Sequence, residues 1–417
     1  MENFRQGGSR TQKRRYPTKS PFNLSLEDDT NVCELNRATV RPKIALVTSG
    51  LGTTHGGIGV VADLIVSALK KDSDISVWEH HAFWPRFTRI PAAVGRTFWG
   101  SLTTPDFVVY DHVDLAILHA IIPRLRPIRY AVFLHGIEVW KPIVGRRREA
   151  LLGASLLLVN SATTQHEARV FNPWLPKAEV TWLGVERQNE IADVESSPPV
   201  GLIVGRMADS ERLKGHDSVL DAWPLIKSSV PDAKLMIVGT GNDKRRLQNR
   251  VKTEHLTGVE FCGWIDDAQR DQMYRSCRML FYPSKQEGYG LAGVEAASFG
   301  VPFLGLAGTV TEELFPPSTG AVVAKDLSRE SIAEAAIPLF KNAQYAQSLG
   351  SAGAARVNAV FLKEHFAGRL RRALAPQLSV CEAVATDIPR ADLRKKNASV
   401  SAHVPSTKSR RSPVGPT

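Results

Sequence analysis

The sequence predicts an α/β fold of two Rossmann-like domains that face each other across a cleft. Short apolar runs rich in β-branched residues alternate with segments whose apolar residues recur at helical spacing, which is typical of a parallel sheet covered on both faces. This alternation begins near Pro42, stops at a polar segment that ends in two prolines, and then begins again. The length of 417 residues also indicates two or three domains.

In the first series, a strand leads into a glycine-rich loop and a helix. The strand is predicted at Lys43–Thr48, the loop at 49–57 and the helix at Ile58–Leu69. Further strands are predicted at Ile75–Trp78, Asp106–Tyr110, Tyr130–Leu134 and Leu156–Val159. Helical stretches separate these strands, so this half of the chain should form a parallel sheet.

The second series repeats the pattern after the polar segment. Strands are predicted at Gly201–Val204, Lys234–Val238, Val259–Phe261 and Met279–Tyr282. Helices are predicted at Ser218–Ile226, Asp243–Lys252, Asp267–Ser276, Gly290–Phe299 and, at the end of the fold, Ala355–Leu374. The expected parts of the chain are a disordered basic tail (1–40), a first domain (41–187), a linker (188–199), a second domain (200–358), a terminal helix (359–376) and a second disordered basic tail (377–417).

The net charge of +11 lies in the two tails and not in the fold. Residues 1–20 contain six Lys and Arg against one Glu, and residues 390–417 contain seven against one Asp. Both tails are rich in Ser, Pro, Lys and Arg and poor in large apolar residues, which is typical of disorder. Because a nucleic-acid-binding domain has its basic excess on the fold itself, nucleic acid is not an expected partner.

Composition excludes several other classes of protein. No apolar run approaches the roughly 18 residues of a membrane span, and no apolar segment of a signal peptide follows the basic N-terminus. The four cysteines lack the spacing of metal ligands and are expected to be reduced thiols in a cytoplasmic protein. Asp111 and Asp114 do not form a D-x-D pattern, so no metal site is expected.

Residues 284–302 (SKQEGYGLAGVEAASFGVP) form the most informative motif. They follow a predicted strand and begin a helix, so the backbone N–H groups of Tyr289, Gly290 and Leu291 should face the end of the strand. A helix N-terminus of this kind suits an anion, especially a phosphate. Glu287 lies in the loop, and Glu295 lies eight residues later inside the helix.

This motif resembles that of the glycosyl transferases group 1 family, which are retaining glycosyltransferases of GT-B fold. The resemblance covers residues 42–376, in strong form in the second domain and in outline in the first. Further segments that are similar to family motifs are Gly56–Gly59, Leu183–Val185, Val204–Met207 with Lys214–His216, Val238–Gly241, Phe261–Trp264 and, imperfectly, Ala307–Glu312.

The resemblance implies that the second domain binds a nucleotide sugar and that the first binds the acceptor. The donor-binding residues it implies are Gly57, Arg206, Lys214, Gly239, Gly263, Trp264, Glu287, Gly288, Tyr289, Gly290, Leu291 and Glu295. It places Glu287 on the hydroxyls of the donor sugar and Glu295 on those of the ribose. Chemistry alone supports Arg206 and Lys214, because two cations on loops after a strand could clamp a leaving diphosphate.

His135 is the catalytic candidate of the first domain, beside Arg206, Lys214 and Glu287 of the second. It follows a strand and resembles the family's loop that faces the donor sugar or the acceptor, although a structural histidine is the alternative. His55 is a weaker candidate for the same cleft. No cofactor is expected, since the cations and the helix dipole could take the place of a metal ion.

The acceptor side combines basic and aromatic residues. Residues 83–148 contain ten Lys and Arg against four acids, and the interleaved aromatic residues are Phe83, Trp84, Phe87, Phe98, Trp99, Phe107, Tyr110, Tyr130, Phe133 and Trp140. Phe107 and Phe133 lie in predicted strands and should be core. The remaining mixture suits an anionic membrane surface, and ordinary solvated arginines are the alternative.

The sequence therefore predicts a retaining, metal-independent enzyme that transfers a hexose from a nucleotide-diphosphate sugar to a saccharide or lipid-linked saccharide acceptor. Its expected setting is surface polysaccharide assembly, in the cytoplasm or peripherally at the inner membrane face. Two alternatives remain. One is a non-catalytic GT-B protein that binds glycans, and the other is an NAD-dependent oxidoreductase with Glu79 as a ribose ligand, which would leave the motif residues of the second domain unexplained.

Overall fold

A computed structural model describes residues 41–52, 56–80, 105–121 and 127–386 of the chain. These residues contain two parallel β-sheets of six strands each, with helices packed on their faces. Most of both predicted tails and the aromatic-rich residues 81–104 lie outside the described residues. Among the described residues, no helix is both long and apolar enough to cross a bilayer.

The N-terminal sheet has the strand order β2-β1-β3-β4-β5-β6. Its strands are β1 (Lys43–Thr48), β2 (Asp74–Glu79), β3 (Phe107–Tyr110), β4 (Arg129–Leu134), β5 (Leu156–Val159) and β6 (Glu179–Val180). The helices described in this domain are α1 (Gly56–Leu69), α2 (Val113–Ile121), α3 (Arg146–Leu152) and α4 (Ala162–Phe171). Strands β1 and β3 to β5 are buried almost throughout, which explains their continuous apolar sequences.

The C-terminal sheet has the strand order β12-β11-β10-β7-β8-β9. Its strands are β7 (Val200–Val204), β8 (Lys234–Val238), β9 (Val259–Gly263), β10 (Met279–Phe281), β11 (Phe303–Leu306) and β12 (Ala321–Ala324). A 3₁₀ segment spans Asp209–Lys214, and the helices are α5 (His216–Ser229), α6 (Lys244–Thr253), α7 (Asp267–Ser276), α8 (Leu291–Ser298), α9 (Val310–Leu314), α10 (Arg329–Lys341), α11 (Ala343–Val360) and α12 (Lys363–Thr386).

The predicted terminal helix is wrong in its extent. Helix α11 ends at Val360, and α12 starts at Lys363 and continues to Thr386, into the segment predicted to be a tail from 377. The break has a local cause: the backbone near Phe361 leaves the helix to pair with Val185, whose N–H donates to the Phe361 carbonyl oxygen at 2.8 Å. Helix α12 then returns to the N-terminal domain, where Arg371 donates to the carbonyl oxygen of Ala68 at 2.7 Å.

The segment predicted as a linker, 188–199, is anchored to the fold at a few buried residues. Ala192 and Val194 are buried, and the Ala192 N–H donates to the carbonyl oxygen of Phe299 at 2.7 Å. The segment therefore lies against the C-terminal domain.

Each sheet has one topological switch point, from which the order of the strands along the chain runs outward to both edges of the sheet. In the N-terminal sheet it lies between β1 and β3, and in the C-terminal sheet between β7 and β10. Ligands of doubly wound folds bind at the carboxyl ends of the strands at such points. Asp111 follows β3 there, Arg206 follows β7, and the loop containing Glu287 follows β10.

Candidate functional site

The loop between β10 and α8 brings the two domains into contact. Gly290 ends this loop with a φ of 88°, a left-handed conformation that glycine adopts without strain, and Leu291 begins the helix. Gly288 packs against the end of β4, where a Cβ on Gly288 would lie 1.7 Å from the carbonyl oxygen of His135. Because any side chain would collide there, only glycine allows this approach.

The carbonyl oxygen of Gly288 is held by the first turn of α4. Ser161 donates its hydroxyl to that oxygen at 2.6 Å and Thr164 at 3.0 Å. Asn160 lies beside this contact and donates to the carbonyl oxygen of His135 at 2.8 Å. The motif loop of the C-terminal domain is thus fixed against the N-terminal domain through its backbone.

Tyr289 points away from this loop. Its ring is buried, and its hydroxyl donates to the carbonyl oxygen of Leu183 at 2.7 Å. Burial raises the pKa of this phenol far above its usual range. The side chain of Tyr289 is therefore part of the core, and only its backbone is left for the role predicted from the motif.

Arg206 and Lys214 share one carboxylate that the sequence analysis missed. Glu211, in the 3₁₀ segment, pairs with the Arg206 guanidinium and with Lys214 Nζ, the latter at 3.0 Å. Burial alone would raise the pKa of Glu211, but the hydrogen bonds and charges of the two cations outweigh burial and hold the pKa below its usual value. The spacing of three residues before Lys214 was the sequence signal for this pair.

The two glutamates of the motif are both half-buried and both lie next to tyrosines. Glu287 hydrogen-bonds the hydroxyl of Tyr282, and burial together with this carboxylate raises the pKa of that phenol well above its usual value. Glu295 accepts from the hydroxyl of Tyr274 at 3.3 Å. Burial raises the pKa of Glu295, and the nearby charge of Arg270 opposes that effect.

His135 is bound within its own domain. Its Nε2 lies 2.5 Å from the backbone carbonyl oxygen of Asp111, so this nitrogen holds the proton and donates. Burial lowers the pKa of the imidazole, which favours the neutral ring. A neutral histidine whose Nε2–H is already donated fits a positioning role better than that of a general acid, so the structural alternative gains support.

Asp111 is a buried carboxyl group that the sequence analysis considered only as part of a metal motif. It is fully buried, accepts from the hydroxyl of Thr48, and has no hydrogen-bond partner for Oδ1 among the described residues. Burial raises the pKa of Asp111 to about 7, against the lowering effect of its hydrogen bonds. An aspartate directly after the apolar strand FVVY was the signal that pointed to it.

Of the remaining predicted donor residues, Gly239, Gly263 and Trp264 lie at the ends of β8 and β9, and Gly57 lies in α1. The Gly239 N–H donates to the carbonyl oxygen of Gly263 at 2.7 Å, and a Cβ on Gly239 would lie 2.0 Å from the carbonyl oxygen of Gly205. Trp264 follows with 74% of its surface exposed. Gly57 lies in the first turn of α1 with open space around it.

The described residues include only some of the histidine and aromatic residues predicted to lie on the acceptor side. His55 and the aromatic residues from Phe83 to Trp99 lie outside the described residues. Phe107 and Phe133 are buried as expected. Tyr110 and Tyr130 are buried too, so they do not contribute to an exposed surface that could contact a membrane. In the described part of the chain, no three His, Cys, Asp or Glu side chains form a cluster that could hold a metal ion.

The sequence pattern of the glycosyl transferases group 1 family matches residues 185–356, which include Arg206, Lys214, Glu287 and Glu295. The matched region is the C-terminal domain, which is less than half of the chain. A GDP-mannose-dependent monoacylated alpha-(1-6)-phosphatidylinositol monomannoside mannosyltransferase of Corynebacterium glutamicum is 29% identical over 168 residues, 39% of this chain and 44% of that protein. A phosphatidyl-myo-inositol mannosyltransferase of Mycobacterium leprae is 34% identical over 24% of this chain and 26% of that protein.

The chain thus spans less than half the length of these two curated relatives. Solved structures show the similarity of the fold as a whole. Sucrose-phosphate synthase from Thermosynechococcus elongatus superposes with a TM-score of 0.68 at 19% identity, over 82% of this chain and all of that one. HepE of Anabaena, in complex with UDP and glucose, superposes with a TM-score of 0.66 at 16% identity, over 80% of this chain and all of that one. The predicted GT-B fold is confirmed.

Proposed function

We propose that this protein is a retaining glycosyltransferase that moves a hexose from a nucleotide-diphosphate sugar to a saccharide acceptor. The observation that supports this most directly is the grouping at the β7/β10 switch point. Arg206 and Lys214 follow β7, while Glu287 and the N-terminus of α8 follow β10. Positive charge for a diphosphate and a carboxylate for sugar hydroxyls therefore lie at adjacent strand ends.

The cations are arranged to receive a phosphate. In the structure their charge is compensated by Glu211, a partner with one negative charge between two positive ones. A diphosphate has more negative charge and more acceptor oxygens than this carboxylate, so it can take over both cations. As the sugar leaves, negative charge grows on the diphosphate, and Arg206, Lys214 and the helix dipole stabilise it.

Retention is proposed to follow a front-face route, in which the departing phosphate deprotonates the acceptor on the side from which it leaves. Glu287 would then bind sugar hydroxyls and Glu295 the ribose hydroxyls. Proton transfer in this scheme does not involve His135, in agreement with its neutral, already donated Nε2–H. The reaction is also proposed to be independent of added metal ions, so that turnover should persist in EDTA.

The substrate class rests on relatives. The two mannosyltransferases named above act on phosphatidylinositol derivatives, one of them with GDP-mannose, and the HepE structure contains UDP and glucose. A nucleotide-diphosphate hexose as donor, and a saccharide or lipid-linked saccharide as acceptor, are therefore proposed for this chain. The proposed setting is polysaccharide assembly on the cytoplasmic side, with the protein peripheral to the inner membrane.

A contrast between the two glutamates tests the assignment. We expect Glu295→Gln to weaken binding of UDP or GDP and of the matching sugar nucleotide alike, since ribose is common to both. Glu287→Gln should lower turnover of UDP-glucose or GDP-mannose and change nucleoside-diphosphate affinity less. Calorimetry and release of UDP or GDP measure these two effects.

Two results would count against the proposal. If both variants bind UDP and GDP as the unchanged protein does, the donor site is misplaced. If the purified protein binds UDP-glucose or GDP-mannose but neither hydrolyses nor transfers it, the non-catalytic glycan-binding alternative is favoured. None of the relatives named above is an oxidoreductase, so the NAD-dependent alternative has no support from them.

A further inference from the structure

A carboxylate of the C-terminal domain, Glu313 in α9, lies against the first turn of α4 in the N-terminal domain. Its Oε1 accepts from the Ala162 N–H at 2.8 Å and from the indole N–H of Trp182 at 2.7 Å. Its Oε2 accepts from the N–H and from the hydroxyl of Thr163, both at 2.7 Å. All four donors belong to the other domain.

This contact provides hydrogen-bond acceptors for backbone N–H groups of α4 that have no partner within the helix. The first N–H groups of a helix cannot bond within it, and a carboxylate near them is favoured by the helix dipole. In α4, Ser161 serves as the N-cap for the Thr164 N–H at 3.0 Å, while Glu313 serves Ala162 and Thr163. The helix start is therefore completed by a residue about 150 positions later in the chain.

The same turn of α4 holds the motif loop. Ser161 and Thr164 donate to Gly288, the residue next to Glu287, while Glu313 holds the N–H groups between them. Three carbonyl or carboxylate oxygens of the C-terminal domain thus meet one helix turn of the other domain. A shift of that turn would move Gly288 relative to the carbonyl oxygen of His135, where there is no room for even a Cβ.

We propose that Glu313 is a positioning residue that fixes the first turn of α4 and, through it, the register of Gly288 and Glu287 across the cleft. This inference rests on the proposed function, because it takes Glu287 to bind the transferred sugar. Nucleotide binding should not depend on Glu313, since the residues assigned to the diphosphate and the ribose all lie in the C-terminal domain. Transfer should depend on it, because a displacement of about 1 Å at a reacting centre can lower a rate about 100-fold.

The test compares Glu313→Gln with Asn342→Ala. Glutamine keeps the shape of Glu313 but places an N–H₂ group against N–H donors. Asn342 caps α11 by accepting from the Tyr345 N–H at 2.9 Å, wholly within the C-terminal domain, so its loss is a control for lowered stability. We expect Glu313→Gln to lower kcat for hydrolysis of UDP-glucose or GDP-mannose about 10-fold or more, with the Kd for UDP or GDP changed less than twofold.

A double-mutant cycle separates positioning from general destabilisation. Thr163→Val removes the hydroxyl donor while keeping the β-branched shape, and should lower kcat by a smaller factor. In the Glu313→Gln background the same change should have little further effect, because the accepting charge is already gone. Hydrogen exchange of the Ala162 and Thr163 amides should accelerate in Glu313→Gln and remain slow in Asn342→Ala.

Three results would overturn the role of Glu313 without affecting the proposed function. They are an unchanged kcat in Glu313→Gln, a loss of UDP or GDP affinity that matches the loss of kcat, and fully additive effects in the cycle. Absence of hydrolysis and transfer in the unchanged protein would instead overturn the proposed function, and the positioning role of Glu313 with it.

Discussion

The two sides of the cleft are built on similar sheets but present different chemistry at their strand ends. On the C-terminal side, Arg206 has 66% of its side chain exposed and is compensated by Glu211 within the same loop. On the N-terminal side, Asp111 is fully buried and His135 is bonded to its backbone. One side exposes charges to solvent, whereas the polar groups of the other are buried and hydrogen-bond within their own domain.

This difference indicates how the two sides divide the work. Exposed, mutually compensated charges can exchange their partner for a ligand at small cost, because neither state leaves a buried charge alone. Buried groups such as Asp111 and the backbone near His135 instead give the cleft a fixed shape. The donor side should therefore respond to mutation in binding and rate, and the N-terminal side in stability.

The largest effect is expected at Asp111. Because burial raises its pKa from 3.8 to about 7, the folded state holds this proton more tightly than the unfolded state does. Stability is therefore lost as pH rises from about 4 to about 7, by about 4 kcal/mol in total at 1.4 kcal/mol per pKa unit. Asp111→Asn cannot ionise, so its stability relative to the unchanged protein should increase between pH 5 and pH 8, as measured by urea unfolding.

The difference in stability between Asp111→Asn and the unchanged protein cancels the contributions of other titrating groups. Burial lowers the pKa of His135, and it lowers that of His216 to about 4. Both histidines therefore make the folded state more stable as pH rises, which is opposite to the effect of Asp111. Both histidines are present in the variant and the unchanged protein alike. A constant difference between Asp111→Asn and the unchanged protein would contradict a raised pKa at Asp111.

On the donor side, we expect Arg206→Ala and Lys214→Ala to lower kcat/KM by about 10- to 100-fold. Each removes a charge-assisted contact to the diphosphate, worth about 1.5–3 kcal/mol. The free energy of unfolding should change little, because both residues end in an ion pair that is partly exposed to solvent.

Arg212→Ala is the matched control for these two variants. Arg212 belongs to the same 3₁₀ segment, but it pairs with Asp243 at 2.9 Å instead of Glu211. Its loss should change kcat/KM less than threefold. A larger loss in Arg212→Ala than in Arg206→Ala would show that the site responds to net charge near the loop and not to a clamp formed by Arg206 and Lys214.

The strands could be predicted to within two residues where both faces of the sheet are covered, because such strands are continuous apolar runs. β6, β11 and β12 were missed: β6 has only two residues, while β11 contains a glycine and directly follows Pro302. The donor residues were predictable because ligand binding requires charges and glycines that the fold alone does not. Glu313 gave no local signal, since its partners lie about 150 residues earlier.

The smallest effect is expected at Trp264, and it distinguishes a residue that serves the ligand from one that serves the fold. With 74% of its surface exposed at the end of β9, the ring contributes little to folding but could stack on a nucleotide base. Trp264→Ala should therefore weaken UDP or GDP binding about 2- to 10-fold, which corresponds to an aromatic contact of about 0.5–1.5 kcal/mol. The free energy of unfolding should change by less than about 0.5 kcal/mol. Tyr345→Ala, at an exposed aromatic residue of α11 in the same domain, should change neither quantity. Pyrophosphate, which has no base, should bind Trp264→Ala as it binds the unchanged protein; an equal loss for pyrophosphate would mean that Trp264 acts on the phosphates or the loop, and that the base lies elsewhere.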